Sequence, residues 1–340
     1  MTELSIPGTH NSGCNDGLLG FGKTQNLSLP EQLRAGIRFF DIRLAHYEDD
    51  LFVHHDVMYM GKTYADVLDI FSTFLTAHPS ETILMSVDEE GRFDSPLRKF
   101  APSEFVGKLA RGDIASWEEN EHSFENTFKA RTWDHIADAP LFYNFTAPPP
   151  GTTAATASPA FTPSTTLGDV RGTIILLRRF EGSQDIGLDL SYWPENACFR
   201  STGPPIYDVE DRYMDPGDDS KFDMVVAHIE KARKDSARDL YFTFSSAADL
   251  QAGGYAETIN PRLNDYLAAC PPGRVGIIAT DYFEEPGELV TNVIRTNRRP
   301  DRPMTTTEEA VALADTEKAD TEKATRASRE SGSRRMANSP

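Results

Sequence analysis

Histidine, carboxylate and arginine side chains recur at a few defined places in this chain. Together they could move protons and neutralise an anion. His10 stands in "SIPGTHNSGC", two residues after Pro7-Gly8, which reads as a turn. Asp41 and Arg43 stand in "FFDIRL", His54 and His55 in "LFVHHD", and Ser86 and Asp88 in "LMSVDEE". Arg178 and Arg179 end "ILLRRF", Asp211 and Tyr213 stand in "VEDRY", and Asp281 follows "IIAT". Strand side chains alternate between faces. Asp41 and Arg43 therefore share a face, as do Ser86 and Asp88, and Asp211 and Tyr213. His54 opposes His55 and Arg178 opposes Arg179, so one of each pair at most can face a site. Imidazole exchanges protons near neutral pH, and a guanidinium fork binds anion oxygens. Each residue taken singly also has an ordinary reading. The Asp41/Arg43 pair could be an internal salt bridge, His54 a packed side chain, and the two arginines a cap on a sheet edge. Their joint placement at strand ends points to a site without naming a substrate.

The elements that must position them alternate in type. "IRFFDIRL" and "LFVHHDVMYM" read as strands. "YADVLDIFSTFLTAHPSE" places Val67, Ile70, Phe71, Phe74 and Leu75 on one helical face. The strands "TILMSVD" and "GTIILLRRF", a helix near 221–235, the strand "DLYFTFSS", a helix near 261–269 and the strand "RVGIIATDYF" follow. Alternation of this kind predicts a parallel sheet, and at 340 residues a barrel. Catalytic residues of such barrels gather at the C-terminal ends of strands. Asp41, Arg43, His55, Asp88, Arg179 and Asp281 are placed there.

The whole chain narrows the function classes. Net charge is -19, and residues 298–340 hold nine Lys+Arg against eight Asp+Glu, so residues 1–297 carry about -20. Such a domain is a poor partner for nucleic acid and gains nothing by charge from an anionic membrane. The three cysteines, Cys14, Cys198 and Cys270, include no C-x-x-C pair, which predicts neither a disulfide scaffold nor a zinc knuckle. Asn26-Leu-Ser and Asn144-Phe-Thr match glycosylation sequons. No apolar run reaches membrane-span length, no signal peptide is read, and the compartment is left open. Residues 146–166, rich in Pro, Thr and Ala, read as a flexible insertion loop, and residues 298–340 as a disordered low-complexity tail. A barrel phosphodiesterase using a divalent ion needs a carboxylate cluster, commonly Glu-x-Asp on one strand face. Here Asp41-Ile-Arg43 puts a fixed cation in place of the second carboxylate, and histidine spacing gives no zinc site.

With these stretches the chain resembles the phosphatidylinositol-specific phospholipase C X-domain family, in its small bacterial-type single-domain form. The stretches that carry the resemblance are "SIPGTHNSG", "GIRFFDIRL", "LFVHHDVMYM", "HPSETILMSVDEE", "LGDVRGTIILLRRFEGS", "YWPEN", "VEDRY", "LYFTFSS", "INPRLNDYL" and "RVGIIATDY". They follow the family's order across nearly all of residues 4–297. The resemblance implies an α/β fold, a distorted, incompletely closed TIM-type barrel over residues 1–297. It implies cleavage of phosphatidylinositol, or a glycerophosphoinositol, to diacylglycerol and a cyclic inositol phosphate. His10 would be the general base and Asp281 its orienting partner. His55 would be the general acid. Arg43 would neutralise the phosphate, with Asp41 holding it. Arg179, Asp211 and Tyr213 would form the inositol pocket, and Asp88 would pair with Arg43 or a ring hydroxyl.

The chain departs from the bacterial pattern twice, with Asn11 where Asp is usual and Asp88 where Lys is usual. Asn11, Asp41 and Asp88 resemble part of a calcium site, but Arg43 stands where such a site needs its Asp. The reading is therefore a metal-independent enzyme. The alternatives are a calcium-assisted phosphodiesterase and an inositol-lipid-binding module with weakened catalysis. A monomer making transient peripheral membrane contact is expected. "GLLGFG", ending at Gly22, and Tyr255 are the rim residues proposed for that contact.

Overall fold

The strands form because runs of β-branched and aromatic residues alternate between two apolar environments. A computed structural model of the protein describes residues 1–16, 22–55, 58–90, 120–136, 141–147, 161–247 and 252–298. Phe39, Leu84, Ile175, Leu177, Val209, Phe242, Phe244 and Ile277 make one buried cluster, in the barrel interior. Their chain neighbours Phe40, Ile42, Met85, Val87, Ile174 and Leu176 make another, under the helices. This is the period-2 alternation of a sheet buried on both faces.

Parallel strands make up most of the wall. Strand β1 (Ile6–Thr9) lies between β2 (Phe39–Tyr47) and β11 (Ile277–Thr280). From β2 the sheet continues through β5 (Ile83–Glu89), β6 (Ile174–Arg178) and β7 (Leu188–Asp189). From β11 it continues through β10 (Leu240–Phe244), β9 (Tyr207–Asp211) and the antiparallel β8 (Ala197–Arg200). Among the described residues no pairing joins β7 to β8. The barrel is a distorted, incompletely closed TIM-type barrel. Gly8 marks a close seam between β1 and β2, since a Cβ there would come within 2.6 Å of the Phe39 ring.

The helices pack outside. Helix α1 spans Leu29–Ala35 and α2 spans Tyr64–Ala77. Thr63 caps α2: its hydroxyl accepts from the Asp66 N–H, and the Asp66 carboxylate accepts from the Thr63 N–H. The predicted apolar face of α2 forms, with Tyr64, Val67, Leu68, Phe71 and Leu75 buried and Ile70 and Phe74 half-buried against the core. Helix α3 (Phe124–Ile136), the short α4 (Leu167–Val170), α5 (Asp218–Lys234), α6 (Ala252–Ala269) and α7 (Leu289–Arg295) follow.

Four expectations change. "LFVHHDVMYM" is two antiparallel strands, β3 (Asp50–His55) and β4 (Met58–Thr63), which form a hairpin beside β2. Helix α6 begins at Ala252, so Pro261 lies inside it rather than at its start. Tyr255 is 6% exposed, its hydroxyl donating to Asp215 and accepting from the Gly217 N–H, which removes it from the membrane-facing rim. Asn144 is buried and its amide bonds to the Leu176 carbonyl and N–H, so its sequon is inaccessible. Within the expected loop, residues 148–160 lie outside the described residues. Thr146 and Ala147 bond to the Asp185 carbonyl, and the Thr165 carbonyl accepts from the N-terminal amine. Of "GLLGFG", Gly22 alone is described, and the tail from 299 lies outside the described residues. The three cysteines are free thiols.

Candidate active site

His10 is placed by buried amides as much as by its strand. It follows β1, and its N–H donates to the Thr280 carbonyl of β11. The buried Gln25 amide donates to the carbonyls of His10 (2.9 Å) and Thr280 (2.8 Å). The buried Gln32 amide of α1 donates to the Ser12 and Leu27 carbonyls. Ser12 and Asp41 exchange backbone and side-chain bonds at 2.8 Å, which ties the histidine turn to β2. Neither glutamine carried any signal in the sequence beyond lying near the first motif.

The His10 imidazole meets Asp281 at 2.9 Å, Nδ1 to Oδ1, and Phe244 stands edge-on to the ring at 6.0 Å. Burial pushes the His10 pKa down, but the Asp281 carboxylate, aided by Asp41, outweighs it, and the net shift is upward. Asp281 is held by its own chain, because the buried Asn260 amide of α6 donates to the Asp281 carbonyl.

Asp41 is fully buried, and its carboxylate faces two guanidiniums. Arg43 reaches it at 3.2 Å and Arg179 at 3.5 Å. Asp88 completes the square, 3.7 Å from Arg43 and 3.2 Å from Arg179. Burial alone would raise the Asp41 pKa. Arg43, Arg179 and His10 outweigh it and hold the carboxyl at about 2. Burial opposes the charge of Arg43 too, but Asp41 and further acidic groups raise its pKa well above the ordinary value. The expectation that Asp41 and Arg43 share a face is met, as is that for Ser86 and Asp88, which lie in register with them on β5.

Of the two adjacent histidines, His55 lines the cavity and its Nδ1 meets the Gly22 carbonyl at 2.7 Å. His54 is fully buried on the opposite face against Tyr59. Of the two arginines, Arg178 turns outward to the Ile186 and Phe180 carbonyls and to Asp189. Arg179 turns inward, and its guanidinium lies 4.0 Å over the Trp193 ring.

These side chains surround one cavity of about 290 Å³. His10, Asn11, Arg43, His55, Arg179, Asp211, Tyr213 and Asp281 line it, as do Thr24, Glu90, Glu195, Ser246 and Ala247. Asp41 lies beneath it, and Asp88 stands behind the arginines rather than on the wall. Glu90, Glu195, Ser246 and Trp193 were not singled out in the sequence. Each lies inside a stretch quoted above for the resemblance: Glu90 in "HPSETILMSVDEE", Trp193 and Glu195 in "YWPEN", and Ser246 in "LYFTFSS", two residues past the end of β10. The three residues read as part of a calcium site fit one poorly: Asp41 and Asp88 are both committed to guanidiniums, which leaves Asn11, whose Oδ1 is buried without a hydrogen-bond partner, as the one of the three not so paired. Asn11 itself suits its place, at φ +43°, where Asn is among the best tolerated residues.

The arrangement offers a carboxylate-oriented imidazole, a second imidazole and two guanidiniums around one anion-sized space. That is equipment for general acid–base chemistry on a phosphodiester. No protein-family model matches the chain. The chain is 29% identical over 324 residues to a Staphylococcus aureus 1-phosphatidylinositol phosphodiesterase, covering 88% of this chain and 90% of that protein. It is 26% identical over 310 residues to the enzyme of that name from Listeria monocytogenes, covering 88% and 81%. A solved S. aureus phosphatidylinositol-specific phospholipase C, studied for modulation of its membrane binding, superposes with a TM-score of 0.69 at 26% identity, over 88% of this chain and 94% of that one. In sequence and in fold, over most of its length, the chain is similar to bacterial 1-phosphatidylinositol phosphodiesterases.

Proposed function

We propose that the chain is a phospholipase C-type phosphodiesterase that cleaves phosphatidylinositol to diacylglycerol and cyclic inositol phosphate, with its chemistry in residues 1–297. The observation that carries this reading is His10, oriented by Asp281 at 2.9 Å, on one cavity with His55 and Arg43. His10 takes the proton of the inositol 2-hydroxyl, whose oxygen attacks phosphorus. The bond to the glycerol oxygen breaks, and protonated His55 gives that oxygen its proton. Asp281 accepts from His10 Nδ1–H, which leaves Nε2 as the base. The Gly22 carbonyl fixes the Nδ1 proton of His55 in the same way, so Nε2 faces the reaction. Arg43 neutralises the charge that grows on the phosphoryl oxygens. It is held by Asp41, whose carboxylate stays ionised. Arg179, Asp211 and Tyr213 bind the inositol ring. The second Arg–Asp pair supports a metal-independent site.

Contact with the membrane is peripheral, and no helix of the described residues is long and apolar enough to cross one. We read the protein as a monomer. The test is ³¹P NMR of phosphatidylinositol micelles in excess chelator. Wild type should release the cyclic phosphate, and His10→Ala and His55→Ala should each lose roughly 10²–10⁴-fold in rate. Full activity in either variant would overturn the assignment. Binding without turnover in the wild type would favour the catalytically weakened module, and activity restored by calcium the calcium-assisted enzyme.

A further inference from the structure

One short loop touches every residue assigned above to the inositol ring. The face of Trp193 carries the Arg179 guanidinium at 4.0 Å, and its indole Nε1–H donates to Asp211 Oδ2 at 2.9 Å. Glu195 accepts from the Tyr213 hydroxyl at 2.6 Å. The Asn196 side-chain oxygen accepts from the backbone N–H groups of Tyr213 and Met214, both at 2.9 Å. Arg179 follows β6 and Asp211 ends β9, on opposite sides of the gap between β7 and β8. No sheet pairing among the described residues fixes the spacing of these two strand ends across that gap. The loop is the direct link between them.

We propose that Trp193–Asn196 is a headgroup clamp: Trp193 is a positioning residue for Arg179 and Asp211, and Glu195 is a substrate-contacting residue. The proposal rests on the phosphatidylinositol reading and adds two residues to it. Trp193 is suited to the role because its other contacts are rigid. Its ring meets Phe199, Phe242 and Phe244 edge-on and stacks on Tyr207, at 5.6–6.2 Å. A guanidinium on such a face loses little freedom when it binds. Arg179 needs that support, since its Nε and one terminal nitrogen are buried without hydrogen-bond partners. Glu195 lines the cavity. A carboxylate has lone pairs beyond the one Tyr213 uses, and ring hydroxyls are donors. Burial and then the Glu195 carboxylate push the Tyr213 pKa up, so the phenol stays a donor to Glu195 throughout the working range.

The experiment measures kcat and KM for phosphatidylinositol in mixed micelles with wild type, Trp193→Phe, Trp193→Leu and Glu195→Gln. Thermal unfolding and vesicle binding are measured on the same samples. Glu195→Gln keeps shape and should raise KM about tenfold, the loss of one charge-assisted hydrogen bond. Trp193→Leu should raise KM by more than tenfold, and Trp193→Phe, which keeps the aromatic face and loses the N–H, should recover part of that loss. The pH profile of kcat and the vesicle binding should not move. KM within twofold of wild type in Glu195→Gln and Trp193→Leu alike overturns the clamp. So does a loss confined to unfolding temperature, or a fall in kcat with KM unchanged. An inactive wild type instead overturns the reaction on which the clamp rests.

Discussion

The proposed reacting groups set a pH dependence whose sign follows from His10. As the proposed base it must be neutral, and its folded pKa lies above the ordinary 6.5. The acidic limb of kcat/KM should therefore rise through a pKa above 6.5. Asp281→Asn removes the main raising influence and leaves burial, which lowers, so the limb should move down in pH. The plateau should fall by roughly 10²-fold or more, because the ring loses its tautomer. A limb unmoved in Asp281→Asn would show that another residue is the base. Stability carries the opposite sign. The protonated His10–Asp281 pair contributes below the unfolded pKa of 6.5 and is lost as pH rises through the folded value. Denaturant titrations of wild type and Asp281→Asn should thus differ most at acidic pH. At this scale much was legible in the sequence. Period-2 alternation told His55 from His54 and Arg179 from Arg178 only up to a choice between two faces. The resemblance made the choice, and the structure places the same members on the cavity. Gln25, Gln32 and Trp193 were not legible, because their roles depend on chain brought near by the fold.

The elements that carry these groups are anchored from outside the barrel. Strand β9 presents Asp211 to the cavity, while the preceding Glu210 faces Lys221 of α5. The two are 1% and 0% exposed and meet at 3.0 Å, and the ammonium also donates to the Arg212 carbonyl. Burial pushes the Glu210 pKa up in spite of this partner. Removing the partner alone leaves a buried carboxylate, so Lys221→Met should cost about 3–5 kcal/mol. Joining it to Glu210→Leu should restore most of the loss, since the buried charge goes with it. Urea denaturation of the two variants tests this. A double variant no more stable than Lys221→Met would show that the pair is not the source. Most strands and helix α2 were legible because their apolar periods are strong. The β3–β4 hairpin was not, since "HHDVMYM" lacks a Gly, Pro or Asn turn signal. Helix α6 was read only near 261–269, whereas it starts at Ala252: packing of Tyr255, Ile259, Leu263 and Leu267 carries the helix through Gly253, Gly254 and Pro261.

The molecule as a whole must meet a lipid surface that bears the same sign of charge. Residues 1–297 carry about -20 by sequence, and phosphatidylinositol is anionic. The attraction at short range must come from apolar contact and from headgroup contacts in the cavity, where Arg43 and Arg179 are presented. Tyr192 and Met214, 60% and 63% exposed, are the chain neighbours of Trp193 and Tyr213 and can supply apolar contact that salt does not screen. Long-range repulsion is screened, with a Debye length near 10 Å at about 0.1 M salt and near 30 Å at about 0.01 M. Cleavage of pure phosphatidylinositol vesicles should therefore speed up several-fold over that range of salt. Vesicles in which most of the lipid is zwitterionic carry less surface charge, so the same increase in salt should matter less there. Cleavage of a soluble glycerophosphoinositol presents no charged surface and should respond least. Initial rates on the three substrates at the two salt concentrations decide the matter. A rate on pure phosphatidylinositol vesicles that falls with salt would mean that a local basic face, rather than the net charge, governs approach.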